Sequence, residues 1–322
     1  MQELEEYQSI LEEKISKLDF PKSPKNLYDP LRYFLTLGGK RTRPTLTMLG
    51  CSLFGEPGIK AINAALAVEL FHNFTLIHDD IMDEAPLRRA KQTVHEKWNT
   101  NVGILSGDVL FVEAYEHLSR HEVDVLPSLL NIFSRTAKEV CEGQQLDMDF
   151  ESLEEVSIEA YIEMIRLKTS VLLGAALEMG ATVAKASEDG KKAIYDFGVN
   201  IGLAFQMQDD LLDLYADPDK FGKQVGGDIL ANKKTYLLLK AKELASADQL
   251  NALNHAMNNI QGDERIEKVK LIFDDIGVKS HAEEVKSEYY NKALKNMDAI
   301  DVSEENKAPL LELAKFLMGR DH

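Results

Sequence analysis

Cysteine is nearly absent. Cys51 and Cys141 are the two in 322 residues, too few for a disulfide framework and spaced for no zinc site. That usage predicts a reducing compartment, the cytoplasm. Proline is missing from two long stretches, 128–217 and 219–308; because proline breaks helix interiors, such gaps permit long helices. No run of about 18 or more apolar residues exists, so no membrane span is expected. The opening MQELEEYQSI is acidic and mixed, unlike a signal peptide. Positive charge is scarce too: 37 Lys and Arg face 54 Asp and Glu, a net charge of −17. This balance argues against a nucleic-acid surface and against simple attraction to anionic lipid. An anionic small molecule would need local basic contacts. No G-x-x-x-x-G-K-[ST] loop is present, which excludes a P-loop nucleotide site.

What is present reads as helix. The chain is 44% hydrophobic and 28% charged, a globular balance. Residues 61–83 are apolar nearly all round, as for a helix at the centre of a bundle. Residues 103–119, 129–150, 158–184, 191–216 and 234–245 carry helical apolar spacing. No period-2 strand or hairpin signal stands out. The expectation is an all-α protein, one domain over 1–322, with an acidic helical region (about 246–322) packed outside.

The run at 61–83 ends in three carboxylates, Asp79, Asp80 and Asp83, spaced D-D-x-x-D. On a helix Asp79 and Asp83 stand one above the other, about 6 Å apart along the axis, and repel unless a cation sits between them. The pattern returns at Asp209, Asp210 and Asp213, again closing an apolar run. Basic residues accompany both: Arg88 and Arg89 after the first, Lys223, Lys233 and Lys234 after the second. Lys40 and Arg43 form a third basic group, and Lys168 with Thr169 a fourth. Carboxylates and cations in this mixture suit a di- or triphosphate bridged by Mg²⁺, which takes one or two carboxylates and completes its shell with phosphate oxygens. Arg supplies forked phosphate contacts and Lys point charge.

These residues carry a resemblance. GGKRTRP (38–44), HDDIMD (78–83), LRRAKQTVHEKW (87–98), ILSGD (104–108), EGQQLDMDF (142–150), KTS (168–170), FQMQDDLLD (205–213), FGKQVGGDI (221–229) and NKKT (232–235) occur in the order found in trans-isoprenyl diphosphate synthases. The chain resembles that family over roughly residues 38–235. The resemblance implies an all-α isoprenoid-synthase-type bundle around a deep central cavity, as a homodimer. It implies a reaction in which an allylic diphosphate, held by three Mg²⁺ between the aspartate motifs, ionises and is attacked by the double bond of isopentenyl diphosphate. Asp79, Asp80, Asp83, Asp209 and Asp213 resemble the Mg²⁺ ligands. Arg88, Lys168, Lys223 and Lys233 resemble the contacts to the allylic diphosphate; Thr169 and Gln206 match groups that steady the cation. Lys40, Arg43, His72 and Arg89 resemble the isopentenyl diphosphate site. One segment departs: the usual R-R-G-K-P-T reads R-R-A-K-Q-T at Arg88–Thr93.

Product length in such synthases is set below the first motif, where this chain has Thr75, Phe74 and Phe71 four, five and eight residues before Asp79. That pattern resembles short-chain synthases, C20 foremost and C15 next, with a longer polyprenyl product as the alternative. An ideal helix puts Thr75 beneath Asp79 but turns Phe74 away, so the case for Phe74 rests on the resemblance. Taken singly, Phe71, Phe74, Leu76 and Ile77 read as core, His72 and His78 as core histidines, and Trp98 and Cys141 as packing. Two rivals remain. A class I terpene cyclase normally carries a different, N/D-rich second motif, and a non-catalytic synthase subunit typically loses one aspartate motif; both motifs are intact here.

Overall fold

The computed structural model describes residues 2–216 and 225–319. Two compact units emerge from the packing: Met1–Ser134 with Ala175–Ile194 and Ile300–Leu310, and Arg135–Gly174 with Tyr195–Ala299 and Leu311–His322. The described chain is helical almost throughout, as the all-α expectation requires.

The first unit is built around α4 (Ile62–Met82). Its sequence is apolar on every side up to the aspartates, so it stays buried on several faces at once. It packs between α3 (Thr42–Leu53) and α6 (Thr100–Leu118), with α2 (Lys25–Leu35) on α6 and α1 (Gln2–Ser16) on α3. The amphipathic α1 docks through Leu4, Tyr7, Leu11 and Ile15, one helical face. Asn99 starts α6 by accepting the Val102 N–H at 2.9 Å. Gly107 of α6 lies against His78 of α4: a β-carbon there would stand 2.4 Å from the imidazole Nε2. The ILSGD segment therefore serves a helix crossing. Behind the first aspartate motif lies an aromatic layer. Phe74 stacks on Phe111 at 5.0 Å between centroids, Phe71 meets Phe133 edge-on at 5.3 Å, and Tyr115 meets Phe133 at 4.9 Å.

The second unit has its own core. Tyr161, Met164 and Ile165 of α8 (Ile158–Ile165), Met207 and Leu211 of α10 (Glu188–Tyr215) and Leu237 and Leu238 of the later helix at Tyr236–Leu244 pack with Val269 and Phe273.

Three expectations need correction. The run 158–184 is not one regular helix: between α8 and α9 (Val171–Val183), Arg166–Ser170 form a π-turn. The chain also holds a strand pair, β1 (Leu87–Arg88) and β2 (Lys91–Gln92), antiparallel and joined by Arg89 and Ala90. Both linking residues have positive φ, 51° and 59°, the conformation of the tightest hairpin turns. Two-residue strands carry no alternation, which is why the sequence did not announce them. Cys141, read as packing, is exposed.

Candidate active site

The first aspartate motif is the last turn of α4. The helix stops there because Glu84 turns to φ 48°, and the Glu84 and Ala85 N–H groups close back on the Ile81 and Asp80 carbonyls at 3.3 and 2.9 Å. Asp79 is half-buried and Asp83 exposed. Asp80 is different. It is 2% exposed, and the Arg88 guanidinium holds it, Nε at 2.9 and 2.8 Å from its two oxygens and Nη2 at 2.8 Å. An expected metal ligand and an expected diphosphate contact are thus each other's partners. The pair fastens the hairpin to the end of α4, leaving Asp79 and Asp83 as the motif's accessible carboxylates.

A positive cluster lies in the same unit. Arg43 Nη1 is 3.2 Å from His72 Nε2. Since an arginine can only donate, His72 accepts there and carries its proton on Nδ1. Burial first, then Arg43, Arg89, Arg88 and Arg41, push the His72 pKa well below the usual imidazole range. Burial likewise lowers Arg43 and Arg89, the latter also through Arg41 and Arg88. The Arg43 Nε is buried without a hydrogen-bond partner among the described residues. Arg89 reaches across Gly39, whose added β-carbon would lie 3.1 Å from its guanidinium. Cations gathered at such cost call for an anion. Lys40 lies on the same loop and is exposed; Arg41, between Lys40 and Arg43, is committed to Glu12 and Glu69 at 2.7 and 2.5 Å.

In the second unit, Asp210 is 4% exposed and accepts from the Tyr161 hydroxyl at 2.5 Å, from Gln206 Nε2 at 3.2 Å and from the Tyr236 N–H at 3.3 Å. Gln206, expected to steady a cation, is therefore also a partner of this carboxylate. Asp213 accepts the Asp228 N–H at 3.2 Å. Burial, and the nearby Asp228 carboxylate, raise Asp213 to about 6; burial raises Asp210 to about 7, against the lowering by Tyr161. Carboxylates crowded in this way are short of positive charge. Lys233 Nζ, largely exposed, comes to 3.9 Å of Asp228 Oδ1. Lys223 lies outside the described residues.

Lys168 and Thr169 sit on the π-turn, a geometry common where a helix must present a functional side chain. The turn is wedged between two glycines. A β-carbon on Gly143 would lie 2.2 Å from the Lys168 backbone nitrogen, and one on Gly202 2.8 Å from the Ser170 Cα. Lys168 Nζ pairs with Asp147 Oδ2 at 2.5 Å.

Residues 24–276 match the polyprenyl synthetase family. The chain belongs to that family. It is 39% identical over 315 residues to the geranylgeranyl pyrophosphate synthase of Geoglobus acetivorans, covering 97% of each chain. It is 36% identical to the short chain isoprenyl diphosphate synthase of Methanothermobacter thermautotrophicus, covering 99% of this chain and 98% of the other. A crystal structure of a geranylgeranyl pyrophosphate synthase matches with a TM-score of 0.94 and 46% identity, covering 98% of both chains.

In this polyprenyl synthetase the donor set fits magnesium. Among the described residues no three His, Cys, Asp or Glu side chains close a metal cage by themselves. The accessible carboxylates Asp79 and Asp83 instead offer a few hard oxygens, the arrangement Mg²⁺ takes when a ligand's phosphate supplies the rest.

The sequence reading missed Arg41, Asp147, Tyr161 and Asp228. Asp147 and Asp228 stood inside matched segments, EGQQLDMDF and FGKQVGGDI. Arg41 had a signal in Glu69, a carboxylate inside an apolar run that needed a buried partner.

The synthetase's departure at Ala90 now has a physical reading. At φ 59° an alanine pays steric strain of about 1–2 kcal/mol that glycine avoids, while glycine adds about 0.4–1 kcal/mol of unfolded-state entropy. Ala90→Gly is expected to stabilise the protein by roughly 0.5 kcal/mol, read as a higher midpoint in denaturant. A lower midpoint would mean that the turn depends on the alanine methyl.

Proposed function

We propose that the chain is a Mg²⁺-dependent trans-prenyltransferase. It condenses isopentenyl diphosphate with an allylic diphosphate (dimethylallyl, geranyl or farnesyl) to a short-chain prenyl diphosphate, C20 or C15. One observation carries the reading. A single unit holds two unlike stations for anions, the carboxylates Asp79 and Asp83 and the cluster of Arg43, His72 and Arg89. The first suits a diphosphate that arrives with metal, the second a diphosphate bound directly by cations. Condensation needs two such substrates; a cyclase needs one.

Mg²⁺, which the resemblance puts at three ions, would when bound neutralise the charge that develops on the leaving pyrophosphate. By family resemblance Asp79 and Asp83, and likewise Asp209 and Asp213, would be the carboxylates that hold the metal. Asp80 acts in this reading through Arg88 rather than as a free ligand, since its oxygens are already taken. Lys168, Lys223 and Lys233 add positive charge to the leaving group. The allylic carbon–oxygen bond breaks, and its electron pair departs with pyrophosphate. The C3–C4 double bond of isopentenyl diphosphate then forms the new bond to the allylic C1. A proton leaves C2, giving a diphosphate five carbons longer. Thr169 and Gln206 turn oxygen dipoles towards the developing cation. Lys40, Arg43, His72 and Arg89 hold the isopentenyl diphosphate, and neutral His72 acts there as a hydrogen-bonding group. Family resemblance supports a homodimer, and the scarcity of cysteine supports a reducing cytoplasm; among the described residues no helix is long and apolar enough to cross a membrane.

The test is Mg²⁺-dependent pyrophosphate release by the purified chain alone. The reading expects release only with both diphosphates present. Release from farnesyl diphosphate alone would indicate a cyclase, and no release a non-catalytic subunit.

Phe71, Phe74 and Thr75 supply the floor. Phe74 stacks on Phe111 and touches Phe71 and His78, so the barrier is a layer rather than one ring. Phe74→Ala is expected to shift the main product by at least one isoprene unit, measured on the alcohols after dephosphorylation. Unchanged chain length would remove Phe74 from the floor.

A further inference from the structure

Lys40 and Arg43 of the GGKRTRP loop belong in this reading to the isopentenyl diphosphate station, whereas Arg41 between them is taken up by carboxylates of the chain itself. Arg41 is 4% exposed, with Nε on Glu12 Oε1 at 2.7 Å, Nη1 on Glu69 Oε1 at 2.5 Å and Nη2 on the Leu35 carbonyl at 3.3 Å. Its backbone has φ 48°, a left-handed conformation that a side chain of this size adopts only when its surroundings enforce it. From that strained point the chain turns into α3, the Arg41 carbonyl accepting from the Thr45 N–H at 3.1 Å and from its hydroxyl at 2.7 Å.

Two of the restraints come from α1. Glu12 grips the Arg41 guanidinium, and Gln8, one turn earlier, donates its amide to the Lys40 carbonyl at 2.8 Å. Glu69 alone would neutralise Arg41. Glu12, whose side chain is half exposed, adds little stability as a solvent-screened pair. What it adds is direction, because a guanidinium held on two sides cannot swing.

We propose that Glu12, assisted by Gln8, makes α1 a positioning strut for the isopentenyl diphosphate station: by fixing Arg41 it sets the loop backbone from which Lys40 and Arg43 reach the second diphosphate. This deepens the functional reading and rests on it. Glu12 is a positioning residue, acting through Arg41. Because α1 is anchored separately by Leu4, Tyr7, Leu11 and Ile15, removing the carboxylate leaves the helix docked.

The experiment is steady-state kinetics on the full chain with both substrates varied, for Glu12→Ala, Glu12→Gln and the neighbouring control Glu13→Ala. Lys40→Ala serves as the reference for the station itself. The strut predicts that Glu12→Ala raises the KM for isopentenyl diphosphate about five- to tenfold, the effect of one partly screened charge-assisted hydrogen bond. The allylic KM, kcat and melting temperature should hardly move. Glu12→Gln, which keeps an acceptor, should fall between, and Glu13→Ala should match the parent. An unchanged isopentenyl KM in Glu12→Ala, or both KM values rising together, would overturn the strut. If Lys40→Ala leaves the isopentenyl KM untouched, the station is misassigned and the strut falls with it; a rise there with none in Glu12→Ala rejects the strut alone.

Discussion

Asp79→Ala is expected to lower condensation by at least about a thousandfold, close to 4 kcal/mol of transition-state stabilisation, with little change in melting temperature. Asp79 stands in the final turn of α4, half-buried, beyond Ile77, the last buried apolar side chain of that helix. The Asp79 carbonyl accepts the Asp83 N–H in the last helical turn, and alanine retains that bond. In the proposed reaction what is lost is a hard oxygen ligand for the magnesium on the diphosphate, and charge neutralisation at the leaving group is the largest demand of that reaction. Steady-state rates beside a thermal melt check both halves. An Asp79→Ala protein that elongates within tenfold of the parent would show that the first motif does not hold the metal. Asp80→Ala makes the contrast: it strips the Arg88 guanidinium of its carboxylate, so it should lower stability as well as rate.

Gly143→Ala is expected to fail in the opposite order, through structure first. The added carbon would meet Lys168 N at 2.2 Å, Lys168 Cα at 2.6 Å and Leu167 C at 2.7 Å. All three are backbone atoms and cannot rotate aside, so either α7 (Leu126–Ser152) backs away or the π-turn is rebuilt. Overpacking of this kind costs about 3 kcal/mol, or roughly 6 °C or more in Tm. Any folded fraction should have a displaced Lys168 and a kcat lowered more than tenfold. A variant with parental Tm and kcat would show that the π-turn has room to move.

Much of this was legible because helices write their faces into sequence. The i,i+4 spacing of Asp79 and Asp83 puts both on one side of α4, and the all-round apolar run before them places that helix in the interior. The polar partnerships were not legible in the same way. Arg41 sits in a row of basic residues that look alike in sequence; its separation from Lys40 and Arg43 depends on Glu12 and Glu69, 29 and 28 residues away in opposite directions. Arg43, His72 and Arg89 come from three separate segments, and the resemblance alone had grouped them. The π-turn was hidden because one extra residue in a helical turn leaves no mark on composition; Gly143 and Gly202, small residues facing it from two helices, were the available hint. The pairing of Asp80 with Arg88 shows what counting aspartates leaves out: one carboxylate of the three is already held by a guanidinium.

Product analysis bears most directly on the proposed reaction. The purified chain would be given Mg²⁺, dimethylallyl diphosphate and excess isopentenyl diphosphate, and the dephosphorylated alcohols sized by mass. A C20 or C15 alcohol, absent without Mg²⁺, is the expected result. Pyrophosphate release with no elongated alcohol would contradict the assignment of a second diphosphate to Arg43, His72 and Arg89, and with it the condensation.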